Sequence, residues 1–176
     1  MRPIGLPIWV GFILFLSSGC VSSSITSSAS KKLHGPYKRI FIIIDNSERA
    51  GRFVNGFIET TKKELAARNT ASEYFISCRL SLETRQEINT KIHAFGPDVV
   101  LIMHQTESFF YRGMSIGSEK GSNGGTFDLK LFEKSAENLI WSGELTAYGE
   151  YGIGMAVNKA SENLISKLVG DGIVSR

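Results

Sequence analysis

The stretch KRIFIIID, Lys38 to Asp45, decides the fold. It is apolar at every position from Ile40 to Ile44. A strand with one wet face alternates apolar and polar residues, so an unbroken apolar run marks a strand covered on both faces and central in its sheet. Asn46 and Ser47 then offer a helix cap. From Glu48 to Arg68, Phe53, Val54, Phe57, Ile58 and Leu65 recur near helical spacing with charges between them. A second strand is expected over Glu73 to Leu80. A shorter helix follows through Ile88 and Ile92, stopped by Gly96-Pro97.

Asp98 to Met103, DVVLIM, is a second two-faced apolar strand. Beyond it TFDLKLFE alternates, with Phe127, Leu129 and Leu131 on one side and Asp128 and Lys130 on the other. Ser135 to Asn138 makes a turn. LIWSGEL returns with Leu139, Trp141 and Leu145 expected to face inward, which completes a hairpin. A last helix is expected from Ile153 to Val169, through Met155, Val157, Ala160, Leu164, Ile165 and Leu168. The order β-α-β-α-β-β-β-α predicts a single-domain α/β sandwich with a mixed sheet, parallel early and antiparallel late.

Gly96-Pro97-Asp98 leads into the third of these strands, and Leu139-Ile140-Trp141 follows the hairpin turn. With the element order of residues 38–170, they resemble the amino-terminal domain of TolB. They are also similar to related domains of bacterial envelope lipoproteins, including the curli-secretion and penicillin-binding-protein-activator types. The resemblance implies a TolB amino-terminal-like α/β domain over residues 38–176 that works by binding another envelope protein and is not an enzyme. The curli-secretion relatives assemble side by side, which makes a homo-oligomer an option for this chain.

The amino terminus carries an address. Arg2 precedes an apolar run from Ile8 to Leu16, and small residues follow at Ser17, Ser18 and Gly19. The run is too short for a spanning helix, which needs about 20 residues, and matches a secretory signal peptide. Leu16-Ser17-Ser18-Gly19-Cys20 resembles the bacterial lipobox, although Ser17 stands where an aliphatic residue is usual. The resemblance implies removal of residues 1–19 and attachment of palmitate and further lipid at Cys20. Val21, where an Asp would mark retention, implies the outer membrane, with the domain facing the periplasm. Val21 to Pro36 is rich in Ser and nearly free of large apolar groups. Residues 20–37 therefore read as a flexible tether, too polar to offset the entropy of ordering them.

The bulk numbers bound the rest. Lys and Arg total 20 against 17 Asp and Glu, a net charge of +3, and the charges are scattered. Nucleic acid is not an expected partner. With Cys20 lipidated, Cys78 stands alone and reads as a buried structural thiol.

Chemical motifs are few. Gly113-Met114-Ser115-Ile116-Gly117 fits G-x-S-x-G, the nucleophile elbow of α/β-hydrolases. That elbow needs a strand-to-helix turn, with the histidine following the serine. Here His34, His93 and His104 all precede Ser115, and a Gly/Ser-rich loop follows it. A small serine hydrolase using Ser115 is thus the rival reading. His104 and Glu107 are three apart on an expected strand, on opposite faces, so they do not form a metal pair. Neither cofactor nor metal is expected. Ser108 to Gly113, SFFYRG, sets Phe109, Phe110, Tyr111 and Arg112 at the mouth of the long connection from Gly113 to Gly124. Tyr and Arg are enriched at binding hot spots and long loops are often functional, so these four residues are the candidate partner-binding set. The expected function is a non-enzymatic accessory and binding module of an envelope protein complex; a second rival, in the binding class, is an accessory lipoprotein of an envelope export system.

Overall fold

In a computed structural model, residues 21–30, 33–46, 51–78, 85–110, 122–134, 138–149 and 153–176 are described. The strands are β1 (Val21–Ala29), β2 (Arg39–Asn46), β3 (Ala71–Cys78), β4 (Val99–Phe110), β5 (Ser122–Glu133) and β6 (Leu139–Gly149). The helices are α1 (Gly51–Ala66), α2 (Arg85–Phe95) and α3 (Ile153–Gly170). From β2 onward the order is the expected β-α-β-α-β-β-β-α, in a mixed α/β fold.

All described strands join one sheet in the order β1-β6-β5-β4-β2-β3. β2 pairs in parallel with β3 on one side and β4 on the other; the remaining pairs are antiparallel. The unbroken apolar run is thus an interior strand with a partner on each side, although it lies next to the edge strand β3 and Ile43 is only half-buried. Ile40, Ile42 and Ile44 point into the main core, beneath α1 and α3. Phe41 points the other way and is covered by Phe95 of α2, ring centroids 6.0 Å apart. Each such buried side chain contributes about 1.5–3 kcal/mol relative to exposure.

The two motifs that carried the family resemblance are structural. Gly96 ends α2 in the left-handed region, φ 62°, where a side chain would be strained. Asp98 Oδ2 then accepts the backbone N–H groups of Lys38 and Arg39 at 2.8 and 2.9 Å, fixing the start of β2 beside β4. Arg39 donates to the carbonyls of Phe95 and Gly96 and lies 4.6 Å from the Phe95 ring centre. A cation there complements the negative end of the helix. Trp141 is buried, and its Nε1 donates to Asp171 Oδ2 at 2.7 Å just past the end of α3.

Two expectations are corrected. Residues 21–29, read as part of the flexible tether 20–37, form β1, antiparallel to β6 from Val21 opposite Gly149 to Ala29 opposite Trp141. A segment too polar to fold by its own burial is ordered here by the backbone ladder of β6 and by anchors from α3. Asn163 Nδ2 donates to the Ser23 carbonyl at 2.9 Å, Ser27 Oγ donates to Asp171 Oδ2 at 2.6 Å, and Ile25 packs on the core. Further along, Leu33 packs on the core and Tyr37 is buried, so the folded unit begins well before residue 38. Leu139 is exposed, while Ile140 and Trp141 are both buried. A register shift between Leu131 and Phe132 breaks the alternation that would have turned Leu139 inward.

The signal peptide, Cys20, Ser47, Tyr111, Arg112 and Ser115 lie outside the described residues, as do the side chains of Cys78 and Phe110.

Candidate partner-binding face

The core occupies one face of the sheet. On the other, α2 lies against β2 and β3, where Lys91 Nζ sits 4.8 Å from the Phe75 ring centre. Among the described residues no helix covers β5, β6 and β1 on that side. Strand alternation places Ser22, Ser24, Thr26 and Ser28 there, and all four are exposed.

Register builds the open face row by row. The first row runs Ser22, Tyr148, Gly124, Phe109. Gly124 lies between the two aromatic residues and has no side chain, so the Phe109 and Tyr148 rings meet across β5, edge to face, 6.0 Å apart. A Cβ on Gly124 would stand 1.9 Å from the Ala147 carbonyl oxygen, and its φ of 152° is one that L side chains rarely adopt. The second row is Ser24, Thr146, Thr126, Glu107. Thr126 Oγ1 lies 3.1 Å from Glu107 Oε2 and 3.4 Å from Thr146 Oγ1. The third runs Thr26, Glu144, Asp128, His104, Asp45.

Two hollows flank these rows. One, about 450 Å³, is lined by Thr26, Ser28, Asp128, Lys130, Ser142 and Glu144. The other, about 500 Å³, lies where α2 leaves the sheet and exposes Ile43, Ile92, Val100, Ile102 and Phe132 beside His93 and Lys134. The face therefore offers hydroxyls and both signs of charge in its middle, an aromatic pair at one end and an apolar groove at the other. Its side chains can donate and accept hydrogen bonds and offer apolar surface.

Of the four residues singled out from the sequence, Phe109 belongs to this face, at the end of β4, half-buried against Tyr148. Phe110 continues β4, while Tyr111 and Arg112 lie beyond the described residues. Tyr148 was missed, because only the β5–β6 register shows that it meets Phe109. A second missed pair is His104 with Asp45: Nδ1 lies 2.9 Å from Oδ2 across neighbouring strands. Both side chains are more than half exposed, 58% and 51%. No group of three metal-ligating side chains converges among the described residues.

At the far end of the sheet, Asp171 ties β1, β6 and α3 together. Burial raises its pKa, but hydrogen bonds from Ser27, Trp141 and Lys167 outweigh this and hold the carboxyl below the ordinary 3.8. Lys167 Nζ lies 3.2 Å from Oδ1.

Two solved structures place this fold among known proteins. The chain superposes on a PelC dodecamer from Paraburkholderia phytofirmans with a TM-score of 0.54 at 13% identity, covering 86% of this chain and 99% of that one. A single-substitution variant of that dodecamer matches with the same TM-score at 11% identity, covering 82% and 96%. The chain thus shares the fold of the PelC subunit. Lipoprotein GNA1162 from Neisseria meningitidis matches at 19% identity, covering 74% and 99%, with a TM-score of 0.38, too low to bear on the fold. No protein-family model and no curated protein matches the sequence.

Proposed function

We propose that the chain is a lipid-anchored accessory of an envelope export complex, held to the outer membrane through Cys20 and facing the periplasm. It acts by binding, through the open sheet face and the adjoining aromatic end. The observation that carries this reading is the half-covered sheet, a broad polar and aromatic surface ending at the strand that directly follows the lipobox cysteine. The fold shared with PelC, an exopolysaccharide-export-related protein, supports the choice of an export system. The dodecameric state of PelC supports an assembly of several copies.

Affinity capture from crosslinked envelopes tests the reading. Wild type is expected to retain an envelope protein that Glu144→Arg loses, since the substitution reverses a charge in the middle of the face while leaving the core untouched. Cys20→Ala is expected to abolish palmitate labelling and to release the chain from the membrane fraction. Equal capture by wild type and Glu144→Arg would remove the open face from the proposal.

The His104–Asp45 pair favours one second reading, the serine hydrolase. An Nδ1-to-carboxylate contact is how a general base is oriented in a triad, with Nε2 left for the nucleophile. Ser115 would be that nucleophile, on the connection between β4 and β5. Fluorophosphonate labelling that Ser115→Ala and His104→Ala both abolish would establish it; an unlabelled wild type rejects it.

A further inference from the structure

The outer side of β1 is a strand edge. Ser30 N–H donates to the Ile140 carbonyl at 2.8 Å, in register with the β1–β6 ladder. Backbone groups alternate in direction along an antiparallel strand, so the even-numbered residues of β1 turn theirs to β6, while Ser23, Ile25 and Ser27 turn theirs outward. The Ser23 carbonyl agrees, since it accepts from Asn163 of α3, outside the ladder, and keeps a second lone pair. Among the described residues no strand stands beyond β1 to meet these groups. α3 lies under the core side of the strand, whereas Ser22, Ser24, Thr26 and Ser28 are exposed on the other.

This edge is complementary to itself. VSSSITSSA contains no charge and has nearly the same pattern in both directions from Ile25. Laid antiparallel on a second copy across a two-fold axis at Ile25, Ser24 faces Thr26, Ser22 faces Ser28, and Ser23 faces Ser27. Hydroxyl then meets hydroxyl at each of these positions, and no like charges oppose. Residues whose backbone points outward face one another, so each such pair can exchange two hydrogen bonds. A shift of one residue would set outward backbone groups against inward ones, and a shift of two would shorten the ladder. The opposite edge of the sheet offers no such match. β3 carries Glu73, and lysines lie over its rings: Lys62 Nζ is 4.9 Å from the Tyr74 ring centre and Lys91 Nζ 4.8 Å from that of Phe75.

We propose that β1 pairs with β1 of a second copy of this chain, antiparallel about a two-fold axis through Ile25, so that one sheet runs across two molecules. Such an interface is isologous, the same patch serving both copies. The proposal deepens the reading that several copies assemble and rests on it; it requires neither the lipid anchor nor the open sheet face.

Ser24 and Thr26 of the two copies would form pairs without backbone hydrogen bonds, with Cα atoms about 4.5 Å apart, within reach of a disulfide. Ser24 and its own counterpart would stand diagonally, roughly 7–8 Å apart, beyond that reach. Two full-length copies with different tags are co-expressed, one carrying Ser24→Cys and the other Thr26→Cys, and their envelopes are oxidised. A disulfide joining the two tags is expected, and is expected to be lost when both copies carry Ser24→Cys or both carry Thr26→Cys. Wild type, which keeps Cys78, gives the background. Ser24→Lys with Thr26→Lys sets lysine opposite lysine on an exposed face, and is expected to at least halve the sedimenting mass of the wild-type assembly in mild detergent. No mixed disulfide, an equal one from either variant alone, or an unchanged mass of the lysine variant overturns the β1 pairing, while a wild type that sediments as several copies leaves the assembly standing. A wild type that sediments as one chain overturns the assembly, and the pairing with it.

Discussion

Asp171 shows how much can depend on one carboxylate. It accepts from Ser27 of β1 and Trp141 of β6 and pairs with Lys167 of α3, so three elements share a single anion. Its folded pKa lies below the ordinary value, so the charged form is favoured by folding. That stability is fully present above about pH 3.8 and is lost as pH falls through the lower, folded value. Asp171→Asn is expected to cost about 2 kcal/mol at pH 7, the scale of hydrogen bonds to a charged group. It should also flatten the acid dependence below pH 3.8. Urea unfolding followed by Trp141 emission, from pH 7 down to pH 3, measures both. Unchanged stability at neutral pH would mean that solvent replaces these hydrogen bonds without loss. None of this was legible in the sequence, because Ser27 and Asp171 are 144 residues apart. The same holds for His104 and Asp45, 59 apart, and for Tyr148 against Phe109. The fold writes such pairs through register, and register is a long-range property.

At the scale of elements, the sequence read well wherever side-chain periodicity is the cause of structure. β2, β4 and β5, and all three helices, stand within a few residues of where their patterns put them, except that β4 and β5 extend further toward their shared connection. It read badly where the cause lies in a neighbour. β1 has few apolar groups of its own, and β6 with α3 supply what its composition lacks. Leu139 failed for a different reason, since one shift in pairing reverses which residues face inward. The assignment of β1 has a direct check. Hydrogen exchange on wild type should show protected amides across 21–29. Removing two of its anchors in Ser27→Ala with Asn163→Ala should release those amides while β2, β4 and β5 stay protected. Exchange at coil rates in wild type would contradict the strand.

At the scale of the whole molecule, the sheet has an unusual edge. Natural edge strands are blunted by charge, proline or bulges, and β1 has none of these over nine residues. β3, at the opposite edge, carries Glu73. Pairing with a neighbouring copy would cover an edge of this kind. Sedimentation of the acylated chain in mild detergent is therefore expected to give a species larger than one chain. A purely monomeric species would argue that the open edge is tolerated without a partner.

The pairing of Val21 with Gly149 also sets an order of assembly. Among the described residues the first strand of the sheet pairs only with β6, more than a hundred residues later, so the ladder between them cannot close until β6 has been made. Loop closure over such a separation is entropically among the last steps to be rewarded. Until then residues 21–29 have no strand to pair with among the described residues. Once the ladder closes, β1 is drawn in beside β6. A late-docking first strand thus keeps the amino-terminal end of the domain pliant while the rest folds and rigid afterwards.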